Sequence, residues 1–186
     1  MTQTRMIRAK LAVPINEERD HVRGPRAAPV TLVEYGDYEC QYCGRGHYVV
    51  KDLEQRVGNL MRFVFRNFPL TTLHPHAERA AEAAEAAEAQ GRFWEMHDLL
   101  FENRRALEDE DLVKYAALVG LDIPRFVREM REGRYLNRIR EDFLSGARSG
   151  VNGTPTFFIN GLRHDGARDL ATLMAAIEVA AREGRR

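Results

Sequence analysis

The only two cysteines of this 186-residue chain stand two residues apart, as Cys40-Gln41-Tyr42-Cys43. The apolar run Val30-Thr31-Leu32-Val33-Glu34-Tyr35 before them reads as a strand, and the segment after them, to Val57, reads as a helix. That placement constrains fold and chemistry together. A cysteine that opens a helix meets the free N–H groups and positive dipole end of the first turn, which favour the thiolate. A second cysteine one turn on can close a disulfide onto the first. So short a closure removes little chain entropy and makes a poor structural staple. The spacing therefore points to redox chemistry or metal binding.

The rest of the chain changes period twice. Gly58-Asn59 stops the first helix, and Leu60 to Phe65 alternates around Arg62 as a second strand. Residues 75–149 then read almost wholly as helices: Ala77 to Gln90, an apolar-faced segment around Phe93, Trp94 and Met96, Asp109 to Val119, a short helix capped by Asp122 with Pro124 in its first turn, and Tyr135 to Arg148. Glu78, Glu82 and Glu85 recur at helical spacing and read as a solvated face. Strands return with Thr156-Phe157-Phe158-Ile159, the two-residue turn Asn160-Gly161, and Leu162 to His164. Asp169 caps a last helix from Leu170 to about Arg182.

This order, βαβ, then helices, then ββα, predicts an α/β chain in three parts. Residues 1–28 form an N-terminal arm, with Ile7 to Val13 as a short edge strand and Arg23-Gly24-Pro25 as loop. Residues 29–71 and 150–186 form one domain around a central sheet. Residues 72–149 form an inserted all-helical domain.

The 28 basic and 28 acidic residues cancel, which offers no basic surplus for nucleic acid. No stretch approaches the ~18 continuous apolar residues of a membrane span. Met1 to Lys10 lacks the apolar core of a signal peptide, so a cytoplasmic location is expected over a periplasmic or secreted one. Cys40, Cys43 and His47 could offer three metal ligands, and His74 and His76 form a second pair, but a structural zinc site wants four ligands. No metal is expected. His47 reads as a helix-surface residue, and His97 and His164 as local structural residues.

The motifs Val30 to Cys40, Tyr42-Cys43-Gly44, Phe93-Trp94-Glu95-Met96-His97 and Gly153 to Gly161 together resemble the DsbA-like branch of the thioredoxin superfamily. The resemblance covers about Asp20 to Ala180. It implies a thioredoxin fold with a helical insertion and thiol–disulfide oxidoreductase activity. Cys40 is then the catalytic nucleophile and Cys43 the resolving thiol. Thr154-Pro155 carries over to the substrate-binding cis-proline loop. No organic cofactor is implied. The partners are protein or peptide thiol or disulfide substrates and an electron donor or acceptor. Gln41 departs from the proline this branch often has after the first cysteine.

Glu39 and Tyr42 flank the thiols as candidates for tuning their pKa, and Glu34 as a buried proton acceptor for Cys43. In a reducing cytosol the pair would act as a reductase. Two rival classes remain: a non-enzymatic thioredoxin-fold module that binds peptide or zinc or senses redox state, and glutathione-dependent transferase or isomerase kin. The latter usually lack the second cysteine, so Cys43 weighs against them.

Overall fold

The computed structural model describes residues 9–184. Ile7 and Arg8, the start of the expected edge strand, lie outside the described residues. The elements run β1 (His21–Arg23), β2 (Val30–Gly36), α1 (Gln41–Val57), β3 (Met61–Asn67), α2 (Ala77–Glu88), α3 (Phe93–Glu102), α4 (Asp109–Leu118), α5 (Ile123–Arg131), α6 (Leu136–Arg148), β4 (Thr156–Ile159), β5 (Leu162–Arg163) and α7 (Leu170–Glu183). The strands form one mixed sheet in the order β1-β3-β2-β4-β5. β2 is its centre, parallel to β3 and antiparallel to β4. Helices α2 to α6 all lie between β3 and β4 in the chain.

All seven residues of β2 are buried, because both faces of the sheet are covered. Val30 and Leu32 join the larger core with Leu53 of α1 and Leu173 and Ile177 of α7. Val33 and Tyr35 face the other way, into a smaller cluster with Val64, Phe68 and Phe158. Alternation therefore puts Glu34 on the face of Val30 and Leu32, toward the larger core and α1. The Asn160-Gly161 turn has φ of 48° and 80°, the left-handed pair a tight hairpin needs between β4 and β5. Asp122 and Asp169 cap α5 and α7, accepting from the N–H groups of Arg125 and Thr172.

Two expectations change. Arg23 is not loop: it ends β1, opposite Phe63 of β3, so the N-terminal arm supplies an edge strand. Its register was hidden because a three-residue strand carries no period. Nor is the α2 glutamate row solvated. Glu78 is exposed, but Glu82 and Glu85 are only 3% and 4% exposed. The alanines of α2 let neighbouring elements close over the helix, and the buried carboxylates are paired, as burial requires. Glu85 meets His21 Nε2 at 2.8 Å and accepts from Asn67 Nδ2 at 2.7 Å. Glu82 accepts from Arg79 at 3.0 Å.

Arg66 anchors the arm from within the sheet. Its fully buried guanidinium donates to both Asp20 oxygens, to the Val13 and Pro14 carbonyls and to Tyr35 Oη, at 2.8 to 3.1 Å.

Candidate active site

Cys40 is the N-cap of α1, with extended backbone (φ −65°, ψ 124°), and its carbonyl accepts from Gly44 N–H at 3.0 Å. Asp37 sets the approach to the helix. Its Oδ1 accepts from the backbone N–H groups of Glu39 (2.8 Å) and Cys40 (3.2 Å). Its Oδ2 accepts from Leu70 N–H (2.8 Å) and meets His74 Nδ1 (2.8 Å). One buried carboxylate thus ties the segment before the thiols to the segment that leaves β3.

Both cysteines are free thiols. The helix-start position predicts an open sulfur, yet Cys40 is only 4% exposed. The Thr154 loop covers it: Cys40 Sγ lies 3.6 Å from the Thr154 carbonyl oxygen. Cys43 is fully buried, and its Sγ accepts from Asp37 N–H at 3.4 Å. The two thiols are therefore unequal. The hydrogen bond from Cys43 is the main influence that brings Cys40 down to about 5; burial opposes it, and Thr154 and the backbone N–H groups of Cys43 and Tyr42 assist. Burial pushes Cys43 well above its ordinary value. Glu34 is buried with Oε1 unpartnered among the described residues. Burial, and then the Cys40 charge, push its carboxyl up to about 8.

The Thr154–Pro155 peptide bond is cis. Pro155 packs beside α1: a Cβ on Gly46 would lie 3.5 Å from Pro155 Cγ and 3.9 Å from Glu34 Oε1. The structure therefore gathers Cys40, Cys43, Glu34, Thr154 and Pro155 at the first turns of α1. Glu39 and Tyr42 are placed differently. The Glu39 carboxylate accepts from the His76 N–H (2.7 Å) and meets its ring at 3.0 Å. The Tyr42 ring is 57% exposed, with the Arg45 guanidinium 5.8 Å from its centroid. Tyr42 acts on the Cys40 thiol through its backbone N–H.

His47 is buried rather than on the helix surface, stacked on Phe101 beside His97. Burial takes it down to about 4 and His97 well below the ordinary histidine range, so both are neutral. Among the described residues, Cys40, Cys43 and His47 do not converge as a ligand set. His47, His97 and Asp98 do bring ligand atoms within 4.8 Å of one another. Lys51 (3.2 Å) and Arg23 (3.6 Å) already neutralise Asp98. Sequence reasoning missed Asp37, and it offered His74 only as a metal-ligand pair with His76, whereas His74 meets Asp37 and His76 meets Glu39. The spacing of Asp37, three residues before Cys40, was the available signal; His74 left none, since its partner is 37 residues away.

A family model described as thioredoxin matches residues 16–179. Part of a protein named Na(+)/H(+) antiporter NhaA 1, from Salinispora arenicola, is 51% identical, over 90% of this chain and 26% of that protein. The chain spans about a quarter of the length of the curated relatives it matches. Among solved structures, a thioredoxin-like oxidoreductase from Silicibacter pomeroyi is 29% identical, with a TM-score of 0.78 over 88% of this chain and 93% of that one. Wolbachia pipientis alpha-DsbA1 shares the fold at 22% identity and a TM-score of 0.78, over 94% of this chain and 96% of that one.

These relatives overturn the cytoplasmic expectation. It rested on a missing leader, but the matching sequences belong to much longer proteins named as antiporters, which act in membranes. The start of the matched region therefore carries no information on compartment. Among the described residues no helix is long and apolar enough to cross a membrane. The sheet, the helical insertion between β3 and β4, and the match over residues 16–179 agree, and the chain belongs to the thioredoxin family, with a DsbA-like fold.

Proposed function

We propose that the chain is a thiol–disulfide oxidoreductase acting on protein or peptide thiols and disulfides, with Cys40 as nucleophile and Cys43 as resolving thiol. The inequality of the two thiols carries this reading. Cys40, near 5, is thiolate at neutral pH, while buried Cys43 keeps its proton. The oxidoreductase from Silicibacter pomeroyi supports it by likeness.

In the reducing direction, Cys40 thiolate attacks one sulfur of a substrate disulfide. A mixed disulfide forms and the other substrate sulfur leaves as thiolate, which takes a proton. Cys43 then loses its proton and attacks Cys40 Sγ. The Cys40–Cys43 disulfide forms and the second substrate sulfur leaves. Two electrons have passed from the protein pair to the substrate. The oxidising direction is the same steps reversed.

Glu34 is the group placed to take the Cys43 proton: the Cys40 charge that helps push its carboxyl up to about 8 is gone once the mixed disulfide has formed, which favours the ionised, proton-accepting carboxylate at that step. The cis Thr154–Pro155 loop beside Cys40 offers backbone groups to an extended substrate segment. In this reading residues 29–71 and 150–186 form the catalytic unit, residues 72–149 an inserted domain that walls the site, and residues 1–28 an arm. Antiport, the activity named for the relatives, is not attributed to these residues. Insulin reduction tests the proposal: Cys40→Ser abolishes turnover, and Cys43→Ala accumulates mixed disulfides. Full activity in Cys40→Ser overturns it.

A further inference from the structure

An open groove of about 520 Å³ runs beside the thiols, between the first turns of α1 and the segment that follows α3. Gln41, Arg45 and Tyr48 form one wall, and Glu102, Arg104 and Arg105 the other. Arg104 lies across the helix at the residue after Cys43. A Cβ on Gly44 would stand 2.9 Å from Arg104 Cδ and 3.1 Å from its Nε, so the bare backbone of Gly44 makes room for that side chain.

The groove has a one-sided charge. Glu102, its carboxylate, is taken by Lys51 at 3.2 Å. Among the described residues the ion pairs leave out Arg45, Arg104 and Arg105. The chain as a whole is neutral, with 28 basic and 28 acidic residues, so these three guanidiniums are a local concentration and not part of a general surplus. The nearby carboxylates in sequence, Glu39 before the thiols and Glu108 after the groove segment, are both held by His76, each at 3.0 Å. Tyr48 adds an exposed ring along the groove.

We infer that this groove takes an acidic segment of the protein or peptide substrate and selects substrates with Asp or Glu near the reacting cysteine. The inference rests on the redox reading of Cys40 and Cys43. Guanidinium pairs with carboxylate through two parallel N–H···O bonds, a match that a lysine or an apolar wall lacks. Along α1 the nine residues from Cys40 to Tyr48 span about 12 Å, the reach of about four extended substrate residues. The selected acidic residues therefore lie within that distance of the substrate sulfur. Charges at such a rim act chiefly on the association rate and are screened by salt.

The test uses two peptides, each with one cysteine blocked as a mixed disulfide with 2-mercaptoethanol. They differ only in carrying two Glu or two Lys within four residues of the cysteine. Hydroxyethyl disulfide is the uncharged reference, and reduced protein is mixed with each in a stopped-flow instrument. The Glu peptide reacts about tenfold faster than the Lys peptide at low salt, and the gap closes at about 0.5 M NaCl. Arg45→Glu/Arg104→Glu reverses the order, and Arg45→Gln/Arg104→Gln levels it. Arg140→Glu, an exposed α6 residue outside the groove, keeps the order. Equal peptide rates in the unaltered protein, an unchanged order in the double variants, or an order lost equally with Arg140→Glu overturns the groove. Reaction with hydroxyethyl disulfide alongside equal peptide rates overturns the groove alone. No reaction with it overturns the redox reading, and the groove inference with it.

Discussion

Asp37 holds His74 and the start of α1 at once: its Oδ2 lies 2.8 Å from His74 Nδ1 while its Oδ1 accepts the Cys40 N–H at 3.2 Å. The pair joins the thiol segment to the lead-in of the helical insertion. Burial opposes a charge on His74, but its hydrogen bond to Asp37 raises its pKa above the ordinary 6.5. A raised basic group lends stability in full below 6.5 and loses it as pH climbs through the raised value. The loss of stability in His74→Gln should therefore be largest in mild acid and shrink in alkali. Urea unfolding of both proteins across that range checks it. A difference that grows with pH contradicts the ion pair.

Alkylation of Cys40 by iodoacetamide should follow a midpoint of about 5. Cys43→Ala removes the largest cause of that lowering, so the midpoint should climb toward 9.0. The linked stability has a definite sign. A lowered thiol pKa adds stability that is complete above 9.0 and fades as pH falls toward about 5. Relative to Cys40→Ser, the reduced protein should thus gain in Tm across that window as pH rises.

Glu34 should show the opposite slope. Its carboxyl is raised from 4.5 to about 8, so the folded chain keeps a proton that the unfolded chain releases. Stability is complete below 4.5 and declines as pH rises toward 8. Glu34→Gln should remove that decline. It should also slow resolution of the mixed disulfide about tenfold or more at neutral pH, since Cys43 loses its proton acceptor. Rapid-quench trapping of the mixed disulfide measures this step, and an unchanged resolution rate rejects the role of Glu34.

Asp20→Ala should cost about 3–5 kcal/mol, because it leaves the Arg66 charge buried without its partner. Thermal or urea unfolding measures the loss. Asp20→Ala/Arg66→Met should recover a large part of it, since an apolar pair leaves no unpaired charge. The recovery separates the cost of an orphaned charge from the value of the pair.

Much of the fold was legible because its signals are local. The apolar run at Val30, the helix-stopping Gly58, the Asn160-Gly161 turn and the Asp122 and Asp169 caps each depend on neighbours within a few residues. The errors came where contacts are remote. Glu82 and Glu85 looked like any exposed i, i+3 row, and only His21, Asn67 and Arg79 make their burial tolerable. His47 looked like a surface residue because its aromatic partner Phe101 arrives from a different helix.

For the site, the sequence alone determined which thiols could react and which sat at the helix start, since two-residue spacing and a strand-to-helix step are properties of a short segment. It also supplied Thr154-Pro155 through the likeness of its motif. The tertiary structure decided how the parts differ. The cover of the Thr154 loop and the burial of Cys43 set the two thiols apart, and the parity of β2 placed Glu34 under α1. Asp37, His74 and the arginine groove arise only when distant segments meet. Proton affinities depend on local solvation and charge, and packing supplies both through space rather than along the chain.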